Sequence, residues 1–304
     1  MPLYSTLASL SQTAASNAAD GAVDAPSTID QQTNLLASFI AQLRDGVGIT
    51  YQTGDRNLVV NGDFSVNQRV YVSGTATTVA NQVTLDRWRV VVSGQSITFG
   101  AGSPGRTVTV PAGGAEHVIE AGWIRGGVHT LSWTGTAAAT VNGAAITSGG
   151  QTASLATNTS VTLRFSGGTV GEVQFERGSA ATPKEYRPPA TEALLCLRDY
   201  AKSYALTTTP GTNTLLGRFI GAGNVAGNMQ YTVYLPVPMR VAPTVSVWDT
   251  NGNINTVLTI SSAGANSIRS ASGTTITDHS FEVLTALAGV DELMTGHWAA
   301  ATGF

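Results

Sequence analysis

Apolar residues follow two different spacings along the chain, and each spacing predicts a different kind of element. Between Pro26 and Gly46 they recur at helical spacing, which predicts one amphipathic helix over residues 28–45. From Asn57 to about Tyr186 they form short runs of β-branched and aromatic residues, separated by Gly and Asn turns. Many short strands with frequent turns predict a jelly-roll-like β-sandwich over residues 57–190.

After residue 190 the pattern predicts a linking helix and then a second β-rich unit. Leu194, Leu195 and Leu197 share one side of a helix predicted over residues 191–203. Residues 204–304 contain further strands, of which Thr244–Trp248 is the clearest, with a turn after it. The predicted fold class is therefore mainly β: an N-terminal helix, a jelly-roll-like β-sandwich, a short linking helix and a second, C-terminal β domain.

Residues 1–50 differ from both β-rich units and are predicted to be an attachment segment. Residues 1–25 are rich in Ala, Ser, Thr and Asn, which is typical of an arm that becomes ordered only on a partner. The helix that follows has an apolar face of about four turns, too short to be stable alone in water. We therefore expect this segment to bind other proteins of an assembly or sister copies of the chain.

The charge pattern narrows the possible partners. Charged residues make up 12% of the 304 residues and the net charge is −3, with the arginines scattered along the chain. No footprint for nucleic acid is therefore predicted, and no apolar run is long enough for membrane insertion. So little surface charge is typical of a subunit that copies of itself partly cover, so we expect a homo-oligomer, in particular a homotrimer.

Several short motifs occur in an order that is similar to a known protein family. In chain order they are Asn57–Arg69, Asp86–Trp88, Val173–Gly178, Ala181–Pro188, Glu192–Tyr200 and Leu235–Thr244. Over roughly residues 57–250 this order resembles bacteriophage tail-fibre and appendage proteins, whose sandwich domain is similar in architecture to a carbohydrate-binding module. The resemblance implies a structural protein of the virion, assembled in the host cytoplasm.

The first of these motifs has a structural interpretation as a tight turn. Asn61, Gly62 and Asp63 follow a short apolar run and have the composition of a turn. We expect Gly62 to adopt a positive φ and Asp63 to accept hydrogen bonds from nearby backbone amides.

Two later motifs also have structural interpretations. Asp86 and Arg87 are neighbours at the start of a predicted strand that carries Trp88, and they predict a partly buried ion pair. Glu176 is expected at the end of a closing strand, where acidic residues commonly cap or fix turns.

Groups with the chemistry of catalysis are present, but their spacing is not that of an active site. A glycan hydrolase needs two carboxylates facing one cleft, and no pair of acidic residues forms a recognisable site in the sequence. The four histidines lack the spacing of zinc ligands and are expected to be exposed or hydrogen bonded. We therefore predict no enzyme activity, no catalytic residue, no metal and no cofactor. The candidate carboxylates considered are Asp63, Asp86, Glu116, Glu120, Glu172 and Glu176.

The tryptophans offer a better indication of function. Sugar-binding sandwiches stack an exposed aromatic ring on the apolar side of a sugar. Trp123, which lies among glycines, and Trp298, which follows His297, are the candidates for glycan binding. A tryptophan on a strand is also typical of a core, so the two interpretations differ in the burial they require.

The sequence as a whole predicts a non-catalytic virion protein, a tail-fibre or appendage subunit that assembles as an oligomer. Residues 1–50 would bind other virion proteins, and the β-rich units would contact host-surface polysaccharide. Two alternatives have the same general sequence character. One is a capsid or neck decoration protein without a receptor role, and the other is a glycan-degrading fibre, which turnover of host polysaccharide would reveal.

Overall fold

The structure, a computed structural model, describes residues 56–100, 106–223, 228–286 and 292–303. The predicted attachment segment over residues 1–50, with its helix over 28–45, lies outside the described residues. Asn57–Phe304 forms one compact unit of the chain. Among the described residues, no helix is long and apolar enough to cross a membrane.

Two antiparallel sheets enclose a common core in the first part of this unit. The six-stranded sheet has the order β1-β2-β5-β10-β7-β8 and the five-stranded sheet the order β3-β4-β11-β6-β9. In chain order the strands are β1 Gln82–Val83, β2 Arg89–Val90, β3 Thr98–Phe99, β4 Val108–Val110, β5 Ala115–Ile119, β6 His129–Gly135, β7 Ala138–Val141, β8 Ala144–Ile146, β9 Gly150–Gln151, β10 Val161–Ser166 and β11 Gly168–Arg177. From β4 to β7 the chain alternates between the sheets, so both contribute side chains to one core.

The sandwich core follows from the alternation of side chains along each strand. In β10, Val161, Leu163 and Phe165 are buried while the residues between them are half-buried, as the period of two requires. Trp88 is fully buried among these side chains, with its ring 4.6 Å from that of Phe64 and 5.9 Å from that of Phe165. The predicted β-sandwich is confirmed at this level.

The helix between the two β-rich parts is shorter than predicted. It covers Pro189–Cys196 (α1), so it begins before residue 191 and ends well before residue 203. The strand Tyr200–Lys202 occupies part of the predicted helix. Leu194 is exposed, and Glu192 and Cys196 are the buried positions. Apolar spacing was misleading because the buried Glu192 carboxylate has a partner in Arg187, 3.3 Å away, which makes a charged residue acceptable on the inner side.

The second part of the unit is one large antiparallel sheet that contains the strands after α1. Its main path has the order β12-β19-β16-β17-β18-β14, and β13 and β15 also pair with β19. The strands are β12 Tyr200–Lys202, β13 Phe219–Gly223, β14 Asn228–Tyr234, β15 Thr244–Trp248, β16 Thr256–Ile260, β17 Asn266–Thr274, β18 Ser280–Ala286 and β19 Glu292–Ala301. The sheet curls back on itself. Gly273 of β17 therefore approaches Val245 of β15 so closely that a Cβ on the glycine would lie 2.7 Å from the valine side chain.

Strand β19 organises this sheet and gives it two unlike faces. Met294, Trp298 and Ala300 point into a second apolar core. Leu293 and Thr295 point the other way, as alternation along the strand requires. On that side, aliphatic side chains of four adjacent strands form what we call the outer apolar face: Ile220, Leu258, Ile260, Ile268 and Leu293. Ile220 and Ile268 are each 52% exposed and Leu293 is 43% exposed.

Candidate functional site

The predicted turn at Asn61 joins several segments of the sandwich. Asn61 has a φ of 56°, and its side-chain amide donates to the carbonyl oxygens of Val66 (2.9 Å) and Asp86 (2.8 Å). Its own carbonyl oxygen accepts from the indole N–H of Trp88 at 2.9 Å. Residues that belong to two separate sequence motifs therefore lie in one buried, hydrogen-bonded framework.

Gly62 is needed in this turn for a different reason from the predicted one. The positive φ belongs to Asn61, and Gly62 does not have one. A Cβ on Gly62 would lie 2.4 Å from the carbonyl oxygen of Val173, because the turn lies directly against β11. The predicted positive φ is therefore wrong, and close backbone approach explains the glycine. The Asp63 carboxylate accepts from the amide of Ser65 at 3.2 Å, which confirms its turn role.

The ion pair predicted between the neighbours Asp86 and Arg87 is wrong, since each side chain has a more distant partner. The fully buried Arg87 guanidinium donates to the Asp199 carboxylate and to the carbonyl oxygen of Val118. The Asp86 carboxylate accepts from the amide of Gln68 at 2.5 Å, and burial raises the pKa of Asp86 above its ordinary value. Arg87 has a φ of 69°, a turn conformation that directs consecutive side chains apart.

Asp199 connects the sandwich to the large sheet. Besides Arg87 of the sandwich, its carboxylate accepts from the Arg240 Nε at 3.4 Å and the Thr302 hydroxyl at 3.1 Å. Next to it, Arg198 donates to Glu120 of the sandwich at 2.9 Å. These charged and largely buried contacts fix the two β-rich parts against each other.

Glu176 occupies the place predicted for it, at the end of β11. Its buried carboxylate accepts from the amide of Thr182 at 2.9 Å, from the hydroxyl of Thr182 at 2.5 Å and from Gln174 at 2.9 Å. These bonds hold the segment after the strand, so the role of Glu176 is structural.

The two tryptophans predicted to bind glycan differ in burial. Trp298 is 8% exposed and packs edge-on against Phe281 in the second core. A buried ring has no free face for a sugar, so the interpretation of Trp298 as a binding residue is wrong. Trp123 ends a short 3-10 helix, Ala121–Trp123, and is half-buried against the sandwich core. For Trp123 glycan binding stays a prediction.

The candidate carboxylates and the histidines have structural partners. Among the ring nitrogens of His117, His129 and His297, one in each residue is bonded to a main-chain carbonyl, and His279 is exposed beside Asp278. Within the described residues, no group of three or more His, Cys, Asp or Glu is placed to hold a metal ion. Each of the six candidate carboxylates is hydrogen bonded within the protein: Asp63 to Ser65, Asp86 to Gln68, Glu116 to Arg89, Glu120 to Arg198, Glu172 to Tyr186 and Glu176 to Thr182.

A cavity of about 380 Å³ lies where the sandwich meets the large sheet, and we call it the junction cavity. Its volume is within the range of small-molecule sites, roughly 300–1,000 Å³. Aromatic and polar side chains from both parts of the unit line it. On the sandwich side these include Arg69, Tyr71, Gln82 and Thr84, and on the sheet side Tyr200, Thr244, Ser246, Trp248, Ala299 and Ala301.

The floor of the junction cavity results from the register of three strands. Ala301 of β19 lies between Tyr200 of β12 and Thr244 of β15. The next residue of β19 that faces the cavity, Ala299, pairs with Ser246. Two alanine methyl groups between longer side chains make the sheet surface concave. Trp248, two residues beyond Ser246 on the same face, forms one edge of the depression.

Arg69 on the sandwich side faces this floor. Its guanidinium carbon lies 4.0 Å from the centre of the Tyr200 ring, a cation–π geometry. Burial lowers the pKa of Arg69 and raises that of Tyr200 to about 12. Burial also lowers the pKa of the nearby Lys202 to about 8, and the Lys202 amine donates to the carbonyl oxygens of residues 206 and 208. The cavity therefore offers aromatic faces and a cationic donor.

Sequence reasoning did not find this site. Its side chains come from segments that are far apart in the chain, and Arg69 gives no sequence signal. One signal was present in β15, where Thr244, Ser246 and Trp248 alternate with two valines. That pattern places polar and aromatic side chains on one face of a strand whose other face is apolar.

Over the described residues the fold and the site define a class: a mainly β protein with an antiparallel sandwich, a large curled sheet and an aromatic cavity between them. No family model matches the chain, and no curated protein matches it. Two solved structures of discoidin II from Dictyostelium discoideum are similar to it. The recombinant form is 11% identical with a TM-score of 0.18, covering 78% of this chain and 92% of that one. The wild-type form is 10% identical with a TM-score of 0.20, covering 79% and 92%. At such TM-scores the similarity carries no argument about function.

Proposed function

We propose that this chain is a structural subunit of a bacteriophage virion, part of a tail fibre or appendage. Its non-catalytic β-rich unit, with a jelly-roll-like sandwich, contacts host-surface glycans at the junction cavity. Residues 1–50 attach the subunit to other virion proteins. The order of sequence motifs over residues 57–250 supports the virion assignment.

The junction cavity is the observation that carries the glycan-binding part of this proposal. A sugar ring has an apolar side, which stacks on aromatic faces, and a hydroxyl edge, which needs donors and acceptors. Tyr71, Tyr200 and Trp248 provide aromatic surface, and Arg69 and Gln82 provide polar groups beside it. A sugar ring can use both kinds of group at once.

The proposed assembly is a homo-oligomer, in particular a homotrimer, in which the outer apolar face of one copy packs against a second copy. No side chain of that face carries a charge. Two copies can therefore approach each other without repulsion, and burial of aliphatic side chains favours association by about 25 cal/mol per Å².

The test of glycan contact is binding of the labelled full-length protein to a panel of bacterial strains and their purified surface polysaccharides. Trp248→Ala should weaken saturable binding by about tenfold or more, or about 1.4 kcal/mol, because it removes one edge of the cavity. Trp123→Ala is the comparison variant, since Trp123 is the other candidate for glycan binding, half-buried and outside the cavity.

The two variants separate the possible outcomes. Binding that Trp248→Ala abolishes and Trp123→Ala leaves intact supports the junction cavity. The reverse result would place contact at Trp123, and an assembled wild-type oligomer that binds no strain and no polysaccharide would overturn the glycan proposal. Circular dichroism should show the same folded spectrum for all three proteins.

A further inference from the structure

The junction cavity contains hydrogen-bond donors that the protein itself does not use. Among the described residues, nothing accepts a hydrogen bond from the Arg69 guanidinium, and its Nε is buried. The ring of Trp248 lies on the opposite side of the same cavity. Burying such donors without partners costs about 1–3 kcal/mol each, and more for a charged group. A ligand rich in oxygen acceptors would remove this cost.

Thr84 provides a second, independent sign of an incomplete site. Its side chain is 1% exposed and lines the cavity, and its hydroxyl has no hydrogen-bond partner in the described residues. A buried hydroxyl normally has one. Thr84 and Arg69 both come from the sandwich side of the cavity, so two separate side chains of that wall have buried polar atoms without a partner.

The charges around the cavity leave a positive surplus. Arg69 and Lys202 are the cations, and Asp86 is the nearby anion, whose carboxylate is occupied by Gln68. The carboxylate of Asp199, the residue before Tyr200, already accepts hydrogen bonds from Arg87 and Arg240. An anionic ligand group therefore meets a favourable potential, and a guanidinium is the side chain best shaped to bind a carboxylate through two parallel bonds.

We propose that the junction cavity binds an acidic sugar unit of the uronic-acid class, with its carboxylate on Arg69 and its ring on Trp248. Thr84 supplies a hydroxyl to the sugar edge. This inference rests on the proposed glycan-binding function and names the chemical class of the glycan. A carboxylate is a stronger acceptor for the buried Arg69 Nε than a sugar hydroxyl is, so we expect the site to discriminate by charge.

The experiment compares two probes with the same sugar backbone, an oligogalacturonate and its fully methyl-esterified form, in which a methyl group replaces the charge of each carboxylate. Binding of each to the full-length protein is measured by isothermal titration calorimetry at low and at physiological salt. We expect the acid form to bind at least about tenfold more tightly than the ester, and the difference to shrink as salt rises.

Three variants assign that difference to side chains. Arg69→Gln should lower the affinity for the acid form to that for the ester, while Arg69→Lys should retain part of the difference through its charge. Arg106→Gln is the matched control, since Arg106 is also half-buried over an aromatic ring, Phe99, but lies outside the cavity. It should bind the acid form as the wild type does.

The outcomes distinguish this inference from the proposed function. Equal binding of the two probes by the wild type, no binding of either, or full acid preference in Arg69→Gln would each overturn the uronic-acid assignment. If polysaccharide binding that depends on Trp248 persists in those cases, the glycan function stands, with a different class of sugar or with acid recognition by a group other than Arg69. If it is absent as well, both fall. The wild-type comparison does not depend on the folding of any variant.

Discussion

The sandwich and the large sheet solve the problem of burial in different ways. The sandwich core contains Trp88 and three phenylalanines, and nearly all of its members are completely buried. The core of the large sheet is built more from alanine and methionine, and several members retain slight exposure. The two sheets of the sandwich therefore bury each other's inner faces, whereas the large sheet leaves its outer apolar face partly exposed.

This difference indicates where the chain keeps surface for other molecules. The motifs in the sequence that carry the family resemblance within the sandwich, at Asn61, Trp88 and Glu176, are all buried framework. The outer apolar face and the floor of the junction cavity lie on the same side of the large sheet, which the sandwich covers only at the cavity. We infer that the sandwich motifs serve as framework, whereas the surface for other molecules lies on the large sheet and where the sandwich meets it.

The strongest test of the comparison is the connection between the two parts. Asp199→Ala removes the carboxylate from the buried Arg87 guanidinium and should lower the free energy of unfolding by about 3–5 kcal/mol. Urea denaturation followed by tryptophan fluorescence measures this. Asp278→Ala, which removes an exposed pair with His279, is the control and should change nothing measurable. An equally small effect of both variants would show that Asp199 does not join the parts.

A second test concerns the uncovered face of the sheet. We expect the full-length wild type to be an oligomer in multi-angle light scattering, and Ile268→Asp with Leu293→Asp to dissociate it, because each aliphatic side chain lost from an interface removes about 1.5–3 kcal/mol. Val72→Asp changes an exposed aliphatic residue of the sandwich and should leave the oligomer intact. A monomeric wild type, or a doubly substituted protein that stays assembled, would contradict the proposed interface.

The prediction with the smallest expected effect concerns one lysine in each part, Lys184 and Lys202. Burial lowers the pKa of both from 10.5 to about 8. Between these pH values the unfolded chain binds more protons than the folded one, so the free energy of unfolding should rise from pH 8 towards pH 10.5. Below pH 8 the lysines are protonated in both states and their contribution is constant.

Single substitutions isolate this contribution. Lys184→Gln and Lys202→Gln should each show a smaller rise in stability than the wild type over that interval, measured by urea denaturation at several pH values. The two lysines should have similar shares, because burial lowers the pKa of each to about 8. Wild-type and variant curves that run parallel would show that the lysines titrate normally.

Local features of the structure could be predicted from the sequence, because they depend on short-range chemistry. The strand Thr244–Trp248, the turn at Asn61 and the place of Glu176 follow from side-chain alternation and turn composition. The ion pair of Asp86 and Arg87 could not be predicted from proximity in sequence. Consecutive side chains around a turn diverge, so the partners came from residues far along the chain.

The junction cavity could not be predicted because no single segment contains it. Arg69 meets Tyr200 only after α1 has ended and β12 has joined the sheet, and Trp248 reaches the same place through its pairing with β19. Trp298 shows the converse limit. Composition marks an aromatic residue as a possible binding group, but the strand register decides which face it occupies, and here that face is the core.

Strand β19 also sets the order in which this unit can fold. It pairs with β12, β13, β15 and β16, and its partner Tyr200 stands far from Ala301 in the chain. Contacts between such distant residues close large loops and form slowly, which pulsed hydrogen exchange would register as late protection of the β19 amides. The alanines of the cavity floor belong to this strand, so a partly folded subunit has no binding site. Under the proposed function, recognition would therefore depend on complete folding, and only fully folded copies would bring a binding site into an assembly.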